Sequence, residues 1–384
     1  MAREDLQSCH ELLPRTILTY LGIRRAKAME AVVSEGRSSL PQLISESTSY
    51  QKLLDLFKTM EPVSTQRDWT VQTGSSMMSI GTHSLSVSIS GPPCKHPTPL
   101  VVILAGAGDV ASSYVVVERL ISPFVRVFLY DRSGLGCSQP GRNRPTATTA
   151  AVELHSLLQT AKISRHLLLV GHSYGAIIAR EYLHLYPDEV SGMVLAEGSG
   201  ERQSDFFKIP DPNINAVMGD LNFAQVTGLR ADSKLSREEW RARAIDIYKG
   251  GAAAEAEAAA FVEVCETLRL KEQYKKRAMG NKPLSVIRCN SMRDYERIYE
   301  KGVEVGNGTE EQRKAFRELL DRWDGFDRDI KEEQLKLSSN SRLIHVSDCG
   351  HNVHLTRPDV VSEEIKWVRA RIVDNLSHAN SYTL

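Results

Sequence analysis

The strongest constraint on the fold is a series of short, unbroken apolar runs. Residues 99–104 (PLVVIL), 125–130 (VRVFLY), 166–170 (HLLLV) and 192–196 (GMVLA) follow one another and are bounded by Gly, Asp or Ser. A run with no polar alternation suits a strand covered on both faces. Helical spacing fills the intervals 111–121, 148–162 and 174–186. In the last of these, Tyr174, Ile178, Tyr182 and Leu185 fall on one face. Alternation of this kind predicts a parallel sheet with helices on both sides. Upstream, WTVQTGSSMMSIGTHSLSVSIS alternates apolar and polar residues around a turn near Gly81, as an antiparallel hairpin at a sheet edge does.

The alternation stops after Gly200. Residues 201–280 are helix-prone, charged and poor in strand formers. It resumes with 283–289 (PLSVIRC), a helical stretch near 309–336, 342–346 (RLIHV) and a last helix from Pro358, where Val361, Ile365, Val368 and Ile372 share a face. The expected architecture is α/β: a mostly parallel eight-stranded sheet flanked by helices. Its core comprises 67–200 and 281–384, with a helical lid over 201–280 inserted after the sixth strand. An insert beyond a strand's carboxyl end overhangs the crevice where such sheets bind ligands. Residues 1–66 are expected to form a helical N-terminal extension, with Leu40, Leu43, Leu53, Leu54 and Phe57 at helical spacing. Those helices, or the lid, offer a surface for a homodimer.

Charge narrows the function. Lys+Arg and Asp+Glu both number 48, so no strong general attraction to nucleic acid or anionic membrane is expected. The N-terminus has acids among its first residues and an apolar stretch broken by Pro14, Arg15 and Thr16, unlike a secretory signal or a membrane span. The 6 cysteines are scattered, with no CxxC pair or metal-ligand spacing. A reducing, cytoplasmic setting follows, with a small-molecule substrate as the partner. No cofactor or metal site is expected, and GAGDVASS lacks the lysine of a phosphate loop.

The chemistry concentrates in LLLVGHSYGAIIARE, where Gly171, Ser173 and Gly175 form G-x-S-x-G between an apolar strand and an amphipathic helix. A strand turning that sharply strains the central residue and leaves no room for side chains two positions either side. Ser173 then stands above the sheet at a helix N-terminus, with the N–H of Tyr174 aimed at an oxygen that becomes negative during attack. Serine needs a base. His351, in CGHNVHLTRPDVV, lies on the loop after the last strand, beyond a carboxyl end as Ser173 does. His345 falls within the strand and His354 a turn beyond, so both read as packing or rim residues.

These features resemble the α/β-hydrolase superfamily, and most closely its lidded, fungal esterase-like serine hydrolases. The resemblance runs from about Asp68 to the C-terminus and rests on LAGAG (104–108), DRSGLGCS (131–138), GHSYG (171–175) and CGHNVHLTRPDVV (349–361). It implies a second oxyanion donor after the third strand. There the family reads His-Gly-x and this chain reads Ala105-Gly106-Ala107, which makes Ala107 and Tyr174 the N–H donors, each worth roughly 3 kcal/mol in the transition state. It also implies a structural role for Asp131, while Asp109 is expected to cap helix 111–121. The acid that orients the imidazole comes between serine and histidine in chain order. Two residues fit: Glu197 ends the sixth strand, and Asp294 follows the seventh, the commoner family position but without its usual glycine. Glu197 is preferred because an acid at a strand end is held better than one several residues into a loop. Apolar lid residues Phe206, Phe207, Met218, Leu221 and Phe223 are candidates for the pocket wall. The expected activity is hydrolysis of an ester, amide or thioester of a small, apolar molecule through an acyl-enzyme on Ser173. The alternatives are an acyltransferase or a small-molecule-tailoring enzyme of secondary metabolism, and a non-catalytic ligand-binding member of the fold.

Overall fold

The computed structural model describes residues 67–93, 95–163, 166–206 and 208–381. The expected N-terminal extension, and a dimer built on it, lie outside these residues, as does Phe207.

Eight strands form one sheet: β1 (Gly74–Ser79), β2 (Ser84–Ser90), β3 (Leu100–Leu104), β4 (Arg126–Tyr130), β5 (Leu167–His172), β6 (Val190–Ala196), β7 (Leu284–Cys289) and β8 (Ser341–Val346). Their spatial order is β1-β2-β4-β3-β5-β6-β7-β8. The β1–β2 and β2–β4 pairs are antiparallel and the rest are parallel. Alternate residues of β3 enter different cores: Val102 and Leu104 meet one face, Val101 and Ile103 the other. That is why the run carries no polar residue. Each such side chain contributes about 1.5–3 kcal/mol on burial.

On one face lie α1 (Val115–Ile121) and, from the chain's end, Val361, Ile365, Val368 and Ile372. On the other lie α2 (Ala147–Thr160) and α3 (Tyr174–Leu185). Thr146 starts α2 by accepting the Thr149 N–H at 3.1 Å. Between β6 and β7 run α4 (Gln203–Phe206), α5 (Pro212–Met218), α6 (Phe223–Val226), α7 (Leu229–Asp232), α8 (Arg237–Lys249), α9 (Gly251–Ala259), α10 (Phe261–Arg269) and α11 (Gln273–Lys276). Ser236 and Glu239 cap α8 reciprocally. After β7 come α12 (Met292–Glu304) and α13 (Glu310–Gln334), and after β8 α14 (Val353–Thr356) and α15 (Pro358–Ser381). Among the described residues no helix is long and apolar enough to cross a membrane.

Candidate functional site

Ser173 joins β5 to α3 with φ 52° and ψ −115°. A non-glycine residue in this region stores about 1–3 kcal/mol of strain. The flanking glycines leave no alternative. A Cβ on Gly171 would lie 2.6 Å from the Gly175 carbonyl oxygen, and one on Gly175 would lie 2.0 Å from that of Leu104. Ser173 occupies the N-cap position of α3, yet its side chain accepts no N–H of the first turn. Its hydroxyl is therefore not consumed by capping.

Glu197 leaves the end of β6 with φ 50°, and its own N–H donates to the Ile287 carbonyl at 2.8 Å. One carboxylate oxygen accepts the Cys289 N–H at 2.6 Å, and the other lies 3.1 Å from His351 Nδ1. Burial pushes this carboxyl up, but the ammonium of Lys331, the imidazole of His351 and the Cys289 amide outweigh it and hold the group below its ordinary range. Lys331 comes from α13. It is buried, and Asp327 one turn earlier accepts its ammonium at 3.0 Å. Arg288 Nε donates to the other oxygen of Asp327 at 3.0 Å.

Asp294 is not a loop residue. It lies in the first turn of α12, because the chain bends into a helix directly after Cys289-Asn290-Ser291. Its carboxylate accepts the main-chain N–H of His351 at 2.9 Å. A Cβ on Gly350 would sit 2.0 Å from the same carboxylate, so Asp294 abuts the backbone of the histidine loop. Burial pushes its carboxyl up to about 6, against the pull of the His351 amide.

Ser173, Glu197 and His351 line one cavity of about 70 Å³, together with Phe206, Trp323 and Lys331. A larger hollow of about 340 Å³ lies behind the histidine loop and is lined by Asp294, Arg293, Gly350 and Arg357, but by none of those three side chains. A hydroxyl, an imidazole and a carboxylate converge on the smaller cavity.

The loop after β3 lies against the serine turn: a Cβ on Gly106 would be 3.5 Å from that of Ser173. Ala107 is exposed, while Ala105, Gly106 and Gly108 are buried. The Gly106 N–H donates to the Tyr114 hydroxyl at 3.2 Å, and that hydroxyl lies 3.1 Å from His172 Nδ1. His172 Nε2 is 3.0 Å from the His351 carbonyl oxygen. These partners assign the proton to Nε2 and make Nδ1 the acceptor. Burial, with His354 and His351 alongside, pushes the His172 imidazole well below its ordinary value, so it is neutral. One hydrogen-bonded path thus ties the β3 loop, the serine turn and the histidine loop together.

Asp109 is not the helix cap. The 3₁₀ turn at Ala111–Tyr114 has no side-chain cap. The Ala111 N–H donates instead to Asp131 at 2.8 Å, which also accepts the Cys137 N–H at 3.2 Å. Asp109 faces inward and accepts from the Ser113 hydroxyl. It lies 3.6 Å from Arg243 and 3.4 Å from His354 Nε2. Burial raises its carboxyl, but His354 and Arg243 outweigh that and hold it well below the usual range. Donor atoms of Asp109, His172 and His354 fall within 4.8 Å of one another. They suit a metal poorly: both His172 nitrogens are engaged and a guanidinium flanks the carboxylate.

Of the apolar insert residues expected at the pocket, Phe206 lines it, whereas Met218 and Phe223 do not: they are buried in a cluster with α12 and α13 whose Tyr295 and Trp323 reach the cavity, and Leu221 packs against that cluster. Sequence reasoning missed Trp323, Asp327 and Lys331, whose spacing along α13 puts them on one face. It also missed Tyr114 and Glu257.

Residues 101–364 match the model of the alpha/beta hydrolase family. An AB hydrolase superfamily protein of Gibberella zeae is 31% identical over 298 residues, covering 74% of this chain and 90% of that protein. A protein of Hormonema carpetanum described as "Probable transporter efuK" is 31% identical over 299 residues; the match covers 76% of this chain but only 42% of that longer protein. Among solved structures, a candidate lipase of Acinetobacter baumannii superposes with a TM-score of 0.54 at 14% identity, over 81% of this chain and 95% of its own. At that identity the likeness concerns the fold.

Proposed function

The chain belongs to the alpha/beta hydrolase family, and from that premise we propose that it is a serine hydrolase cleaving an ester, amide or thioester of a small, mostly apolar molecule. One observation carries the reading: Ser173, with its hydroxyl free of capping, shares a cavity with His351, whose Nδ1 is 3.1 Å from the buried carboxylate of Glu197. With Nδ1 engaged, the other ring nitrogen is left to take the serine proton.

Ser173 Oγ attacks the carbonyl carbon while His351 accepts its proton. Glu197 stabilises the imidazolium that results. The N–H groups of Ala107 and Tyr174 receive the oxyanion, and among the described residues neither has an internal acceptor assigned to it. His351 returns the proton to the leaving group, and the acyl group stays on Ser173. Water, deprotonated by the same imidazole, then releases the acid. Phe206, Ile209 and Trp323 give the cavity its apolar wall.

Purified protein is expected to release p-nitrophenol from short acyl esters, and Ser173→Ala to abolish this while remaining folded by circular dichroism. A variant that retains wild-type turnover removes Ser173 from the mechanism.

A further inference from the structure

We infer that Glu257, carried by insert helix α9, sets the aim of the Ala107 N–H through Arg132, so that seating of the insert and stabilisation of the oxyanion are coupled. This rests on the reading of Ala107 as an oxyanion donor.

The argument begins with one peptide plane. The carbonyl of Gly106 and the N–H of Ala107 belong to the same planar unit and point in opposite directions. Whatever fixes the carbonyl therefore aims the N–H. Arg132 does so together with the Asp109 N–H, which donates to the Gly106 carbonyl at 3.1 Å: Nη2 donates to the Gly106 carbonyl at 2.7 Å and Nη1 to the Ala105 carbonyl at 2.8 Å. Its guanidinium also lies over the ring of Tyr174, 5.6 Å from the centroid, so one cation touches both donor-bearing segments.

Arg132 is itself held from the insert. Glu257 accepts from Nε at 2.6 Å and from Nη2 at 2.9 Å, the two-pronged geometry that fixes a guanidinium in its plane. The carboxylate also accepts the Gly108 N–H at 2.8 Å, so it grips the loop on the far side of Ala107. Arg132 and Glu257 are 4% and 3% exposed. One turn earlier on α9, Ala254 presses on the loop: a Cβ at Gly108, where φ is +62°, would lie 2.7 Å from the Ala254 Cβ. If α9 lifts away, a buried cation loses its only carboxylate partner among the described residues, and the guanidinium that bonds the Gly106 carbonyl loses the two-pronged contact that fixes its plane.

Glu257 is thus a positioning residue, and the test separates it from a wall of the substrate cavity. In the full-length chain, Glu257→Ala is expected to lower kcat and kcat/KM together on a short acyl ester by about 10- to 100-fold, with KM nearly unchanged, as loss of a transition-state interaction requires. Glu257→Gln keeps an acceptor for Gly108 but loses the ion pair. It is expected to fall between the two, and it serves if the alanine variant fails to fold. Amide exchange over 105–108, measured without substrate, is expected to accelerate in both. Raised KM at unchanged kcat, or wild-type kinetics and exchange, overturns the proposal. If exchange depends on Glu257 but the wild type hydrolyses no ester, the clamp stands as a structural contact, and the coupling to oxyanion stabilisation falls with the hydrolase reading.

Discussion

At the carboxyl end of β6, Glu197 reaches the ring of His351 through Nδ1 at 3.1 Å. Beyond the neighbouring β7, Asp294 reaches the same residue only through its main-chain N–H at 2.9 Å. Both carboxylates are buried. Glu197 has Lys331 behind it and is held below its ordinary range, whereas Asp294 is pushed up to about 6. In the proposed mechanism Glu197 faces an imidazolium and has to stay ionised though buried, and the ammonium of Lys331, with His351 and the Cys289 amide, favours that state. Asp294 instead anchors the backbone that carries the histidine. Proximity to His351 is shared; the atom contacted and the charge behind it differ.

The largest effect that sharpens this comparison is on turnover. Glu197→Gln is expected to lower kcat by about 10³- to 10⁴-fold, the scale seen when an orienting acid is neutralised. Asp294→Asn is expected to cost less than about tenfold, because an amide oxygen still accepts the His351 N–H. Steady-state kinetics on one ester decide the matter; a reversed ranking transfers the role to Asp294.

Next comes the cation. Lys331→Met strips Asp327 of one partner and Glu197 of the ammonium that most favours its ionised form. Breaking such buried pairs costs about 3–5 kcal/mol, readable by urea unfolding. A loss below about 1 kcal/mol means that Lys331 does not hold this side of the site.

The smallest effect concerns pH. Asp294 ionises near 3.9 in an unfolded chain and at about 6 in the fold. Its folded value is raised, so the stability it contributes is fully present below the unfolded value and is lost as pH rises through about 6. Asp294→Asn removes that loss. Relative to wild type, the variant is expected to gain up to about 2 kcal/mol between pH 4 and 7. An unchanged difference across this window shows that Asp294 is not strained by burial.

The parts of the site legible in the sequence are those written within a few residues of one another. The glycines around Ser173 report a backbone that only they permit. His351 follows the strand read at RLIHV, and Glu197 ends the apolar run GMVLA. What stayed hidden depends on partners distant in the chain. Asp109 obeys the local rule for a cap, but Arg243 and His354 draw it inward and leave the Ala111 N–H to Asp131. Lys331 and Asp327 sit in a helix so rich in charge that it reads as a solvated face, and nothing local separates them from their exposed neighbours. Glu257 lies in an alanine-rich stretch whose only sign of purpose is the cation it meets, Arg132, which belongs to a different strand end. Asp294 reads as a loop residue several positions past the strand, yet α12 opens at once after Ser291, with Asn290 Oδ1 accepting the Arg293 N–H at 3.4 Å.

The most direct measurement is the rate and site of covalent labelling by a fluorophosphonate, followed by intact mass and peptide mapping. One adduct per chain on Ser173 is expected, slowed at least a hundredfold by His351→Ala and by Glu197→Gln but not by Asp294→Asn. A folded wild-type chain that takes up no label, or takes it up at another residue, contradicts the assignment of Ser173 as the nucleophile.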